Sequence, residues 1–287
     1  MRSISIIAVL AMASTSASAA SFFLSQGKFA AGQGQVSDYS GTKGVYEERF
    51  NGGGRAIGTC RQQRVNSVVI NNLGFPDSEL TTGAHPGFAL PPGTNKASLD
   101  SGIVPADQSC YLTAPSTSTI NIGTGSPVEI DIAPIAKVPT LYFGFYWGSI
   151  DPYNYIYLFS KTLDGSGNNI PIFVPGLSKS DGTILGSDIL RLFGKQAGYN
   201  SYAGFRFTAA ENFSYILEAS QNNGFETDNY AFSFVDVAAT PPANLLVPVG
   251  PAPLLRAAAV NTVPEPAVAG MMLLGLGSLC FARRRRG

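Results

Sequence analysis

A repeat of two in the apolar residues constrains this chain most. Leu141, Phe143, Phe145 and Trp147 occupy every second position, and so do Tyr153, Tyr155, Tyr157 and Phe159. Side chains of a β-strand point alternately to its two faces, so this pattern marks strands with one face committed to a core. The pattern recurs along the chain. Val128, Ile130 and Ile132 alternate with Glu129 and Asp131, Phe205 and Phe207 flank Arg206, and Phe213, Tyr215 and Leu217 alternate. Tyr230, Phe232 and Phe234 end the series. Gly, Asn and Asp clusters at 164–169 and 194–201 separate the runs, as turns require. One segment differs. Ser187–Phe193 reads as a short helix, with a capping residue before an apolar turn and Gly194 behind it. The expected fold is therefore mostly β: an antiparallel β-sandwich with one short helix over residues 20–237. The half up to residue 127 is less regular, although Gly44–Phe50 and Val65–Asn71 read as strands. It either adds edge strands and loops to one sandwich or forms a looser subdomain; no linker divides the halves, which favours one domain.

Neither end reads as domain. Residues 1–19 carry Arg2, an apolar stretch Ile4–Met12 and then small residues ending Ala17-Ser18-Ala19. That order predicts a secretory signal helix with an Ala-x-Ala cleavage site. Residues 238–260 hold prolines at 241, 242, 248, 251 and 253 and runs of Ala, and read as a linker; a terminal strand at Leu245–Val249 is the other reading. In the tail, 261–287, a Val263-Pro264-Glu265-Pro266 motif precedes an apolar span, 267–282, and then Arg283, Arg284, Arg285 and Arg286. The span is a transmembrane helix on this reading, with the arginines holding its end in the cytoplasm. Pro264 and Pro266 lack an N–H and keep the motif extended, as a peptidase cleft requires.

These three elements, in this order, resemble the PEP-CTERM sorting signal of Gram-negative bacteria. The resemblance implies recognition by an exosortase, a membrane-embedded cysteine peptidase that cuts near the motif. It implies a protein secreted across the inner membrane, held there transiently by its C-terminal helix, and then placed at the cell surface or outside the cell. Leu141–Asp151, together with Phe225–Ser233, resembles a group of exosortase-dependent surface proteins with a jelly-roll-like domain, whose activity is undefined.

Charge and cysteine usage agree with export. Setting aside Arg2 and the four terminal arginines leaves 14 basic residues against 19 acidic ones, a balance of −5. A chain without a basic stripe is a poor nucleic-acid partner, and none is expected. Cys60 and Cys110 are the two cysteines of the body, and an oxidising compartment favours a disulfide between them over two buried thiols.

Candidate sites are few. His85 is the single histidine and sits in a Gly/Pro-rich loop, with no Gly-x-Ser-x-Gly turn to serve it as a base. No enzyme is expected. A glycoside hydrolase would need two carboxylates facing across a cleft, and no local motif selects a pair. Calcium is a candidate cofactor at Glu226, Asp228 and Asn229; otherwise Asp228 and Asn229 hydrogen-bond nearby backbone and fix the strand's entry, and no metal site is firmly marked. Tyr146, Trp147, Tyr153 and Tyr155 are candidates for stacking on the sugar rings of an extracellular polysaccharide, against ordinary core packing. The function expected is a structural or adhesive component of the envelope or biofilm, with a carbohydrate-binding module as the alternative.

Overall fold

A computed structural model describes residues 19–30, 32–50, 68–71, 79–81, 109–114, 128–132, 138–222, 224–237 and 245–249, together with Cys60, Pro91 and Pro92. The described chain is mostly β and antiparallel throughout. The first sheet has seven strands. Six run in the order β1 (Ser21–Ser25), β13 (Tyr199–Arg206), β9 (Tyr142–Ile150), β15 (Phe225–Ser233), β7 (Tyr111–Ala114) and β6 (Glu79–Thr81). The seventh, β4 (Val45–Glu48), also pairs with β15. The second sheet has six. Five run β11 (Asn169–Pro171), β10 (Asn154–Leu163), β14 (Phe213–Ser220), β8 (Val128–Ile132) and β5 (Val68–Asn71), and β12 (Ile184–Leu185) also pairs with β10. A hairpin of β2 (Lys28–Ala30) and β3 (Gly34–Val36) forms a third, small sheet. Strands from the irregular first half thus enter both large sheets: β1, β4, β6 and β7 the first, β5 the second.

The two large sheets face each other across one apolar core. Phe143, Phe145 and Trp147 of β9 meet Phe225 and Tyr230 of β15, and Phe143 reaches Phe213 of β14 at 5.5 Å between ring centroids. Trp147 stacks on Phe225 at 4.7 Å and is wholly buried. Rings of this size bury the most apolar area per side chain, so a few of them fill much of the space between the two sheets.

The first sheet also buries its other face. β3 lies against β9, β13 and β15, and a second cluster forms there from Phe23, Tyr39, Tyr142, Tyr146 and Tyr202. Room for these rings comes from facing glycines, Gly144 and Gly204, paired across β9 and β13. A Cβ on Gly204 would lie 2.2 Å from the Phe23 ring, and one on Gly144 2.6 Å from the Tyr142 hydroxyl. Glycine inside a strand marks this kind of close approach.

Helix α1 spans Gly186–Phe193 and turns Ile189, Leu190 and Phe193 inward. Gly194 closes it in the left-handed conformation, φ 62°, with its N–H returned to the last turn, as expected from sequence. Its start differs from the expected cap. The N-cap position is Leu185, with no side-chain capping bond, so Ser187 and Asp188 lie inside the first turn. Asp188 instead pairs with Lys179 at 2.6 Å and Arg191 at 3.0 Å; a carboxylate there also suits the positive end of the helix dipole.

Residues 245–249 dock on the domain without forming a regular strand. Leu245 bridges to Ser25, Leu246 N–H donates to Leu24 O at 2.9 Å, and Val249 N–H donates to Leu192 O at 3.0 Å. This short strap lies along the outer edge of β1, an edge that would otherwise offer unpaired backbone groups.

Candidate functional site

The sequence grouped Tyr146, Trp147, Tyr153 and Tyr155 into one aromatic platform. The structure divides them, because β9 and β10 follow each other in the chain but belong to different sheets. Trp147 is in the core between the sheets, and Tyr146 is buried beneath the β2–β3 hairpin. Neither presents a ring to a ligand. Tyr153 and Tyr155 are half-buried at the start of β10.

A different aromatic row does assemble. On β10, Ile156 and Leu158 point to the core and are fully buried. Tyr155, Tyr157 and Phe159 therefore line the outer face of the second sheet, half-buried. In register beside them on β14 stand Ala219, Leu217 and Tyr215. The rings touch in sequence: Tyr155 to Tyr157 edge-on at 6.0 Å, Tyr157 to Phe159 stacked at 6.0 Å, and Phe159 to Tyr215 stacked at 4.7 Å. Asn169 of β11 donates from Nδ2 to the Tyr215 hydroxyl at 2.6 Å, so an amide rims one end of the row. Burial and the neighbouring Tyr157 push the Tyr155 phenol above its ordinary pKa, so it stays neutral and able to donate. Tyr157, Phe159 and Tyr215 were visible in the sequence as alternating aromatics. Their common exposure was not, since it depends on which sheet each strand joins.

Alternation also misplaced Phe213. The sequence put it on one face with Tyr215 and Leu217, yet Phe213 is buried and the other two face outward. The β10–β14 register shifts between Phe159 and Ser160, and this irregularity moves Phe213 to the core side.

Glu226, Asp228 and Asn229 lie in β15 and are all buried. Ser109 Oγ donates to Asp228 Oδ2 at 2.9 Å, and Asn229 N–H donates to Asp228 Oδ1 at 2.6 Å. Asn229 Nδ2 donates to Gln35 O at 3.1 Å and also to Gln33 O. Asn229 has φ 50°, and the β15–β9 register slips between Asp228 and Ala231. These side chains pin a β-bulge and anchor the β2–β3 hairpin to it. Among the described residues no group of three His, Cys, Asp or Glu is gathered as a metal would need.

A buried carboxyl does sit between the sheets. Glu218 of β14 accepts from Tyr230 Oη at 2.8 Å and from Thr227 Oγ1 at 3.0 Å through the same oxygen, Oε2. Complete burial pushes its pKa up to about 8, against the lowering effect of these two donors. The group joins β14 to β15 and is fully buried.

Cys60 and Cys110 form a disulfide, with Cα atoms 5.4 Å apart. His85, the signal segment 1–18, the sorting residues Val263, Pro264, Glu265 and Pro266, the span 267–282 and Arg283–Arg286 lie outside the described residues. Among the described residues no helix is long and apolar enough to cross a membrane.

Residues 262–286 match the family model described as the PEP-CTERM protein-sorting motif. The motif implies processing by an exosortase and sorting of a secreted protein to the cell surface. No curated protein matches the chain.

Proposed function

We propose that the chain is a β-sandwich domain, jelly-roll-like in its layering, displayed on a Gram-negative cell as a structural or adhesive component of the envelope or biofilm matrix. The observation that carries this reading is the sorting motif at 262–286 behind a disulfide-closed domain. In this reading residues 1–19 direct export and are removed. The 267–282 span holds the chain in the membrane with Arg283–Arg286 on the cytoplasmic side until the exosortase cuts. A non-enzymatic role is supported by the use of the buried carboxylates, since Glu218 joins the sheets and Asp228 pins a bulge. A second reading, binding of a surface polysaccharide, is favoured by the outer row Tyr155–Tyr157–Phe159–Tyr215.

The test of sorting is the intact mass of surface protein from cells with and without the exosortase. The expected product lacks the segment beyond about Pro266 only when the peptidase is present. The double variant Pro264→Ala, Glu265→Ala is expected to accumulate as a membrane-retained precursor. Normal processing of that variant, or a product that keeps 267–287 in both strains, would sink the sorting reading.

A further inference from the structure

The start of β1 is held by a carboxylate far away in sequence. Ala20 is 2 % exposed, and its backbone nitrogen donates to Glu211 Oε1 at 2.5 Å. The other oxygen, Oε2, accepts from Thr208 N–H at 2.7 Å and from Thr208 Oγ1 at 3.2 Å. Glu211 N–H returns to Thr208 O at 3.2 Å. The turn between β13 and β14 thus fixes one carboxylate oxygen and aims the other at the nitrogen of residue 20. Arg206, the cation of the neighbouring strand, is turned toward the opposite face, where its guanidinium lies 5.5 Å from the Phe23 ring centroid and 5.9 Å from that of Tyr39.

The Ala17-Ser18-Ala19 pattern puts the signal cut between Ala19 and Ala20. The nitrogen that Glu211 holds is therefore the one that the cut would free. We propose that Glu211 is a receptor for the processed N-terminus: the α-ammonium of Ala20 binds its carboxylate and locks β1 onto the first sheet in the mature protein. This inference rests on the reading that the chain is exported. The chemistry is a hydrolysis. Water adds across the Ala19–Ala20 bond, Ala19 leaves as a carboxylate, and the Ala20 nitrogen becomes an amine that is protonated at neutral pH, since α-amino groups ordinarily titrate near 7.7–8.0. An amide offers Glu211 one uncharged donor. The ammonium offers three donors and a full charge at the same place, and hydrogen bonds between charged partners are roughly twice as strong as neutral ones.

Binding to a carboxylate raises the α-amino pKa. Its contribution to stability is present in full below the ordinary α-amino range and is lost as pH rises through the raised value. The experiment uses the processed protein recovered from cells. Its first residue is read by mass, and its α-amine is titrated by the rate of acetic anhydride labelling across pH. The expected result is a first residue of Ala20 and an amine that titrates at least about one unit above the ordinary range, so that Glu211→Gln speeds labelling at pH 8 by several-fold up to about tenfold. In a chain left uncut by Ala19→Phe, the same substitution is expected to have a smaller effect on Tm. A mature terminus at another residue, or an Ala20 amine with ordinary titration, overturns the inference. The second outcome leaves export standing, whereas a terminus at Met1 would remove export as well. Should Glu211→Gln fail to accumulate, titration of the unaltered protein decides alone.

Discussion

A carboxyl buried between two sheets has to be neutral or paired with a cation, and Glu218 takes the first course. Tyr230 and Thr227 satisfy one oxygen, and complete burial holds the proton on the acid up to a pH of about 8. In the unfolded chain the group ionises near its ordinary value of 4.5. The folded state therefore binds a proton that the unfolded state has lost across this interval. Stability from this group is complete below about 4.5, falls as pH rises, and is spent above about 8. The expected outcome is a Tm that declines from pH 5 to pH 8, and a Glu218→Gln variant in which that slope is reduced. Thermal unfolding followed by circular dichroism at a series of pH values checks it; an unchanged slope in the variant would assign the decline elsewhere. Nothing in the local sequence distinguished Glu218 from an exposed strand carboxylate. It alternates regularly with Tyr215 and Leu217, which face outward, so it falls on the core side with Ile216. Trp147 was open to two readings in the sequence, sugar stacking or ordinary core packing, and its ring lies in the core.

Strands were the most legible elements, because aromatic alternation is a local signal. β9, β10 and β14 lie close to where the periodicity put them, whereas β13 and β15 begin earlier than their aromatic runs, β13 at Tyr199 inside a stretch that reads as a turn. Bulges were not legible. Asn229 with φ 50° and Ser149 with φ 63° shift the facing of the residues around them, and both depend on partners distant in the chain, Gln35 and Asn200 among them. The sheet to which each strand belongs was likewise hidden, and this decided the fate of the aromatic platform. The outer row on β10 and β14 now carries the polysaccharide reading, since aromatic faces stack on the apolar faces of sugar rings and the hydroxyls and the Asn169 amide can bond their rims. Native gels cast with a neutral soluble glucan are expected to retard the protein, and Tyr157→Ala with Phe159→Ala to abolish the retardation. Tyr46, which is exposed on the other sheet and stacks on Phe232, supplies the control substitution. Equal mobility in every gel would leave the structural reading alone in place.

At the scale of the whole molecule, the disulfide and the strap each tie distant parts of the chain together. Cys60–Cys110 closes a loop of 50 residues that contains β5 of the second sheet and β6 of the first. The entropy that such a loop removes from the unfolded chain corresponds to about 4 kcal/mol. Reduction, or the pair Cys60→Ser and Cys110→Ser, is expected to lower Tm by on the order of 10 °C in a domain of this size; a shift within error would mean the native sheets do not depend on the closure. The cysteine pairing was legible from composition and compartment, whereas the docking of residues 245–249 was not, in a Pro-rich stretch that reads as a linker or a terminal strand. Its docking shortens the leash. With Val249 fixed beside α1, residues 250–262 are all that separates the described body from the sorting motif. Even drawn out fully, at about 3.3–3.6 Å per residue, they span no more than about 50 Å. In the membrane-held precursor proposed above, the domain would therefore be confined to a shallow zone above the bilayer, and the enzyme would work within one domain's width of a bulky cargo. Release by the cut would at once free that cargo to explore the full depth of the surface layer.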